Sequence, residues 1–248
     1  MCNTLAAPDK KIHPSQCFST RNITPYALFP RPVSPIIYLT SNPTHYHYIC
    51  VPMEQSAFDQ IQHIIKSRRS VSWARMNGTL IPDDVVRQLL ALADWAPTHG
   101  LTEPWRFFVY SGQPMKEFGK AHADLSWDNT PEDKRSRAVY EKVMSATEKA
   151  SHLIIVAMQR GTNAKNPYVE EIAATSAAIQ NMLLGATALG IASFWSTGGM
   201  TLNPVLKTYL QLKEEDQVLG MIYLGFTDEP VKQGARTIPL EDKVKWFQ

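Results

Sequence analysis

The chain has 248 residues, 44% of them hydrophobic and 19% charged, which suits a soluble globular protein able to bury a sizeable core. A net charge of +2 gives no polyanion-binding surface and argues against a nucleic-acid partner. No apolar run reaches the roughly 18 residues that a transmembrane helix needs.

These averages conceal two segments. Residues 1–52 hold 8 of the 17 prolines, all three cysteines (Cys2, Cys17 and Cys50) and only five charges. Proline removes backbone donors and drives the preceding residue toward extended geometry, so this stretch reads as a Pro-rich, disordered leader. Within it only 33–39 has the character of a brief strand. Residues 53–248 keep 21 Lys+Arg and 22 Asp+Glu, a net charge of −1, and form the second unit, with Met53 as its natural start. That unit lacks cysteine, hence any disulfide framework or thiolate nucleophile, and a reducing cytoplasm is its default compartment.

Regular patterning begins at Ser56, which suits the cap of a helix over Ala57–Ser67, with Phe58, Ile61, Ile64 and Ile65 as its buried stripe. A second helix starts at Pro82, with Asp83 and Asp84 at its positive end, and stops before Pro97. Arg106–Tyr110 reads as a strand. Residues 114–149 read as two polar helices parted near Pro131. Leu153–Met158 is wholly apolar, as a buried strand would be. Glu170–Leu189 is a long helix, apolar on most faces and therefore central. Ile191–Trp195, Pro204–Leu210 and Val218–Leu224 follow as strand, short helix and strand. Helices and strands mix without strict alternation, which predicts an α+β layered domain.

Three constellations carry possible chemistry. Arg68-Arg69-Ser70 offers two guanidinium forks and a hydroxyl to a phosphate; a solvated basic helix end explains the same residues. Ala96-Pro97-Thr98-His99, with Glu103-Pro104-Trp105, is a stiff loop that serves equally as the seat of a planar ring or as a plain connection. Trp195-Ser196-Thr197-Gly198-Gly199 ends a strand with hydroxyls and unhindered N–H groups, useful to a ligand rich in acceptors, although glycines also simply make turns. No dinucleotide-type glycine loop, Walker loop or nucleophile elbow is present. His45, His47 and Cys50 lie in the leader without a full ligand set, so no metal site is expected.

In this order the three blocks resemble the nitroreductase family, in its compact branch. The matching pieces are Arg68-Arg69-Ser70-Val71, then Ala96-Pro97-Thr98-His99 with Pro104-Trp105-Arg106-Phe107-Phe108-Val109. Gly190-Ile191-Ala192-Ser193-Phe194-Trp195 and Gly220-Met221-Ile222-Tyr223-Leu224-Gly225 follow. The sequence departs from the family pattern at Trp95, where relatives can carry a basic residue, and at Glu103, where Gln is common. The resemblance implies a central mixed sheet flanked by helices, in an intertwined homodimer with two FMN sites at its interface. By that pattern Arg68, Arg69 and Ser70 hold the phosphate and ribityl chain, and Arg236 adds to the phosphate site. His99 reaches the flavin bound mainly by the other subunit. Trp195, Ser196 and Thr197 line the flavin, and Gly198 and Gly199 offer backbone donors near its reactive edge.

The implied activity is transfer of a hydride from NAD(P)H through bound flavin to a nitroaromatic, quinone or similar small acceptor, with no catalytic side chain. The alternatives are reductive dehalogenation or flavin fragmentation on the same fold, or a non-enzymatic FMN-binding scaffold. The residues themselves give a second motive for a shared site. The ligand groups fall in three separate blocks, and the 170–189 helix is too apolar to leave open on a domain of this size.

Overall fold

The structure, a computed structural model, describes residues 55–162 and 165–247. The expected leader, the brief strand over 33–39 and the His45, His47 and Cys50 group lie outside the described residues. Ten regular elements follow one another: α1 (Gln55–Ser67), α2 (Asp83–Asp94), β1 (Trp105–Ser111), α3 (Gly112–Asp128), α4 (Arg137–Met144), β2 (His152–Met158), α5 (Tyr168–Ala188), β3 (Ala192–Ser196), α6 (Pro204–Tyr209) and β4 (Gln217–Gly225). No helix among the described residues is long and apolar enough to cross a membrane.

The four strands form one sheet in the order β1-β2-β4-β3, and every neighbouring pair is antiparallel. The expected mixed sheet is corrected here: the one parallel element among the described residues is an isolated bridge between Ser70 and Ser193. β2 and β4 are central and buried on both faces, which is why their sequences run apolar without alternation. The pleat then sorts their side chains into two cores. Ile154, Val156, Ile222 and Leu224 pack with Leu89 and Ala93 of α2 and with Ala178, Ile179 and Met182 of α5. Leu153, Ile155, Met221 and Tyr223 pack with Met115 and Phe118 of α3 and with Leu206 of α6. The result is a sheet covered by helices on both sides, an α+β layered domain.

Local chemistry sets the element ends. Pro82 precedes α2 in extended geometry, and Asp83 and Asp84 fill its first turn. Gly190 takes a left-handed φ of 69° after α5, letting the Ile191 N–H return to the Ala186 carbonyl at 2.8 Å and the chain turn straight into β3. Where α2 crosses α5, a Cβ on Gly185 would stand 2.6 Å from Leu92 Cδ1, so glycine there lets the two helices approach without displacing that leucine.

α1 departs from expectation twice. It begins at Gln55, so Ser56 lies inside the helix rather than capping it. Its apolar stripe is not buried within the chain: Phe58, Ile61 and Ile65 are 48%, 43% and 52% exposed. Periodicity correctly gave the helix and its apolar face, but periodicity does not say what covers that face.

Candidate functional site

Arg68, Arg69 and Ser70 follow α1 in extended chain. Ser70 bridges Ser193 on the outer edge of β3, and the Val71 N–H donates to the Ser193 carbonyl at 2.9 Å. Of the three predicted ligand residues, Arg69 lines a cavity of about 180 Å³ with Ser67, Val71, Thr187, Gly190 and Glu229.

The guanidinium of Arg69 donates through Nη1 to the Arg68 carbonyl at 2.7 Å, while its Nε is buried without a partner among the described residues. Gly234 lies against it so closely that no Cβ fits. The segment carrying Arg236 is thereby laid across Arg69, and Arg236 itself, exposed, donates only to its neighbouring Ala235 carbonyl at 2.9 Å. Among the described residues none of Arg68, Arg69 and Arg236 pairs with a carboxylate. Arg75, by contrast, holds Glu229 at 2.5 Å, which removes the one acidic side chain of the cavity from competition.

β3 brings the second block to the same edge. The Trp195 indole lies over Gly220, a position with no room for a Cβ, and donates Nε1–H to the Leu219 carbonyl at 3.0 Å. That N–H is therefore not available to a ligand. Beyond it the chain turns: the Gly198 N–H donates to Ser196 Oγ at 3.2 Å, and Thr201 Oγ1 donates to the Gly198 carbonyl. Of the two predicted glycine donors, Gly198 is thus satisfied internally.

Sequence reasoning missed His122 of α3. It is 4% exposed, and its Nε2 accepts the Met200 N–H at 3.0 Å. Burial lowers its pKa to about 4, so the ring is neutral and its proton sits on Nδ1. A lone histidine on a helix that also carries Phe118 has no spacing signal to distinguish it from core. The only hint in the sequence was Gly199 itself.

The third block lies elsewhere. His99 sits in a single helical turn, His99–Leu101, against the start of α5. Its Nδ1 meets Glu170, and its carbonyl accepts Asn166 Nδ2 at 3.2 Å. Beneath it Arg160 grips buried Glu171 through Nη1 and the Asn166 carbonyl through Nη2 at 2.5 Å. The Gly161 N–H reaches Glu171 at 3.1 Å, and the Arg160 N–H reaches Asp216 at 2.8 Å. The loop around His99 is strained as well as held: Leu101 and Glu103 take left-handed φ values of 54° and 42°. Trp95, 87% exposed, stands beside it at the rim of a cavity of about 400 Å³ that Leu101 and Glu103 also line. Arg69, in contrast, shares its cavity with Thr187 near the far end of α5. At about 1.5 Å per residue, roughly 25 Å of helix separates Glu170 from Thr187. Within one chain, His99 and the arginines do not meet.

Residues 65–226 match the family model described as the nitroreductase family, a span that includes all three blocks and ends before Arg236. YfhC of Bacillus subtilis, which carries the provisional name NAD(P)H nitroreductase, is 27% identical over 74% of this chain and 92% of its own. The crystal structure of a nitroreductase-like family protein from Bacillus cereus superposes with a TM-score of 0.64 at 28% identity, covering 76% of this chain and 96% of that one. A nitroreductase with bound FMN from Bacteroides fragilis shares the fold at 24% identity and a TM-score of 0.55, covering 76% of this chain and 98% of its own.

Proposed function

This chain belongs to the nitroreductase family, and on that premise we propose that it is an FMN-dependent oxidoreductase that moves reducing equivalents from NAD(P)H to a nitroaromatic, quinone or similar small acceptor. The observation that carries the reading is the group of guanidiniums at the Ser70–Ser193 junction without a carboxylate partner, one of them with a buried, unsatisfied Nε. A half-buried cation without a counter-charge is what a phosphate satisfies, with charge-assisted bonds. The residues present therefore fit the group. Arg68, Arg69 and Ser70 would hold the phosphate and ribityl chain, and Gly234, packed on the Arg69 guanidinium, brings the segment of Arg236 beside them. Bound FMN supplies the electron-transfer chemistry, and the protein binds, orients and tunes it. Trp195 would contribute a fixed ring, Ser196 and Thr197 would line the site, and Gly199 would offer the turn's backbone donor near the flavin's reactive edge. No protein nucleophile is required.

The test is optical. Purified full-length protein should be yellow, and NAD(P)H should bleach it without oxygen. Yellow protein that NAD(P)H leaves oxidised would make it a flavin-binding protein without this turnover, and colourless protein that takes up no added FMN would remove the cofactor from the reading.

We also propose that a second copy completes the site. The distance along α5 puts His99 out of reach of its own chain's arginines, and α1 offers an uncovered apolar stripe for the contact. A ligand held only by the dimer stabilises the dimer by mass action. Sedimentation of apo and FMN-loaded protein across a dilution series should therefore show FMN raising the dimer fraction. A flavin-loaded monomer that oxidises NAD(P)H would end the shared-site proposal.

A further inference from the structure

We propose that His122 is a positioning residue for the flavin site, holding the Ser196–Thr201 turn through the Met200 N–H so that the Gly199 backbone stays in place. The inference rests on the reading of that turn as a flavin contact. Three independent features of the structure carry it. The first is the bond itself: Nε2 accepts Met200 N–H at 3.0 Å from a buried ring. The second is the fit of the turn over the imidazole. Gly199 has a φ of 62°, and a Cβ there would stand 2.7 Å from His122 Cε1 and 2.9 Å from Nε2. The ring thus occupies the space that any other residue at 199 would need. The third is the support behind the ring: Phe118, one helical turn earlier, stacks on it at 5.7 Å and 14°.

The turn's other bonds are made by neighbours in sequence or by the sheet: Gly198 to Ser196, Thr201 to Gly198, the Asn203 N–H to the Met200 carbonyl at 3.0 Å, and Ser196 in register with Met221 of β4. None of them reaches α3. His122 ties it to α3, a helix fixed in the core by Met115 and Phe118. The donor to the flavin is a backbone N–H with no side chain to adjust, so its position depends on what holds the backbone. An acceptor at His122 is required for that, whereas charge is not. Burial keeps the ring neutral, and the Nε2 lone pair remains available across the working pH range.

The variants that separate this from simple packing are His122→Phe and His122→Gln. Phenylalanine keeps the stack on Phe118 and removes the acceptor; glutamine places an amide oxygen near the position of Nε2 and keeps it. Hydrogen exchange at the Met200 amide and FMN titration of stripped full-length protein are the readouts. In His122→Phe we expect Met200 exchange to rise at least tenfold and FMN affinity to fall about tenfold. The midpoint potential of bound flavin should drop by about 30 mV, the equivalent of a tenfold change for two electrons. His122→Gln should return all three to within about threefold of the native protein. If His122→Phe does not fold, Gly199→Ala forces a Cβ onto the imidazole and should expose the Met200 amide in the same way. Met200 protection unchanged in whichever of these two folds, or equal losses in the Phe and Gln variants, would overturn the proposal. Were the native protein to bind no FMN, the functional reading would fail while Met200 exchange still decided the role of His122.

Discussion

The two ends of α5 handle charge in opposite ways. At the start of the helix Arg160, Glu171, Asp216 and the Asn166 carbonyl form a network in which each buried charge meets a partner. Beside the last turn, and among the described residues, Arg69 leaves a buried Nε unbonded, and Arg68 and Arg236 pair with no carboxylate. Both regions use arginine, and residue type alone does not tell them apart. A closed network is scaffolding, since its members already have what they were desolvated for. An open one stores an unmet requirement, which a ligand can fill.

Three measurements test that contrast. Arg160→Met would leave Glu171 buried and alone, and removing one partner of a buried pair costs about 3–5 kcal/mol. Denaturant unfolding should show a loss of that size, with FMN affinity of the folded fraction unchanged; a loss under 1 kcal/mol would show that water reaches Glu171. Acid acts next. His122 has a folded pKa of about 4 against an ordinary 6.5, so between these values the unfolded chain binds the extra proton. Its contribution is intact above pH 6.5 and declines as pH falls to 4, by about 3 kcal/mol in total. His122→Gln should remove that part of the stability–pH curve; an unchanged curve would assign acid sensitivity elsewhere. Arg68→Ala should have the smallest effect on folding. Losing a charge-assisted contact of roughly 1.5–3 kcal/mol should weaken FMN binding about ten- to a hundredfold, with little change in unfolding free energy. Unchanged affinity would return Arg68 to the role of a solvated helix end.

Much of this was legible in the sequence. Runs such as Leu153–Met158 and the Ala-rich stretch of α5 have a single sensible burial, and the structure puts strand and helix there within one or two residues. The ligand blocks stood out because Gly, Trp, Ser and Arg cluster at element ends. What was not legible depends on direction and distance. Three adjacent residues, Arg68 to Ser70, look alike as ligands, and only the structure shows that the middle one keeps a buried Nε without a partner among the described residues. Ser56 is a good capping residue, but the helix begins one residue before it. His122 is separated from Met200 by 78 positions, and no local pattern records a contact between residues so far apart in the chain. The α1 stripe was read as buried because nothing in a single sequence marks whether the cover comes from the same molecule.

The bridge between Ser70 and Ser193 has a further consequence. β3 is an edge strand, and an open strand edge recruits other chains into unwanted sheets. Ser70 and Val71 occupy hydrogen-bonding positions on that edge, so a few residues of backbone guard it against aggregation, beside the residues proposed to hold the ligand. The two duties separate by chemistry. Ser70→Ala should cost ligand contact and leave solubility alone. Val71→Pro deletes the N–H that meets the Ser193 carbonyl and should raise the fraction of the protein that aggregates.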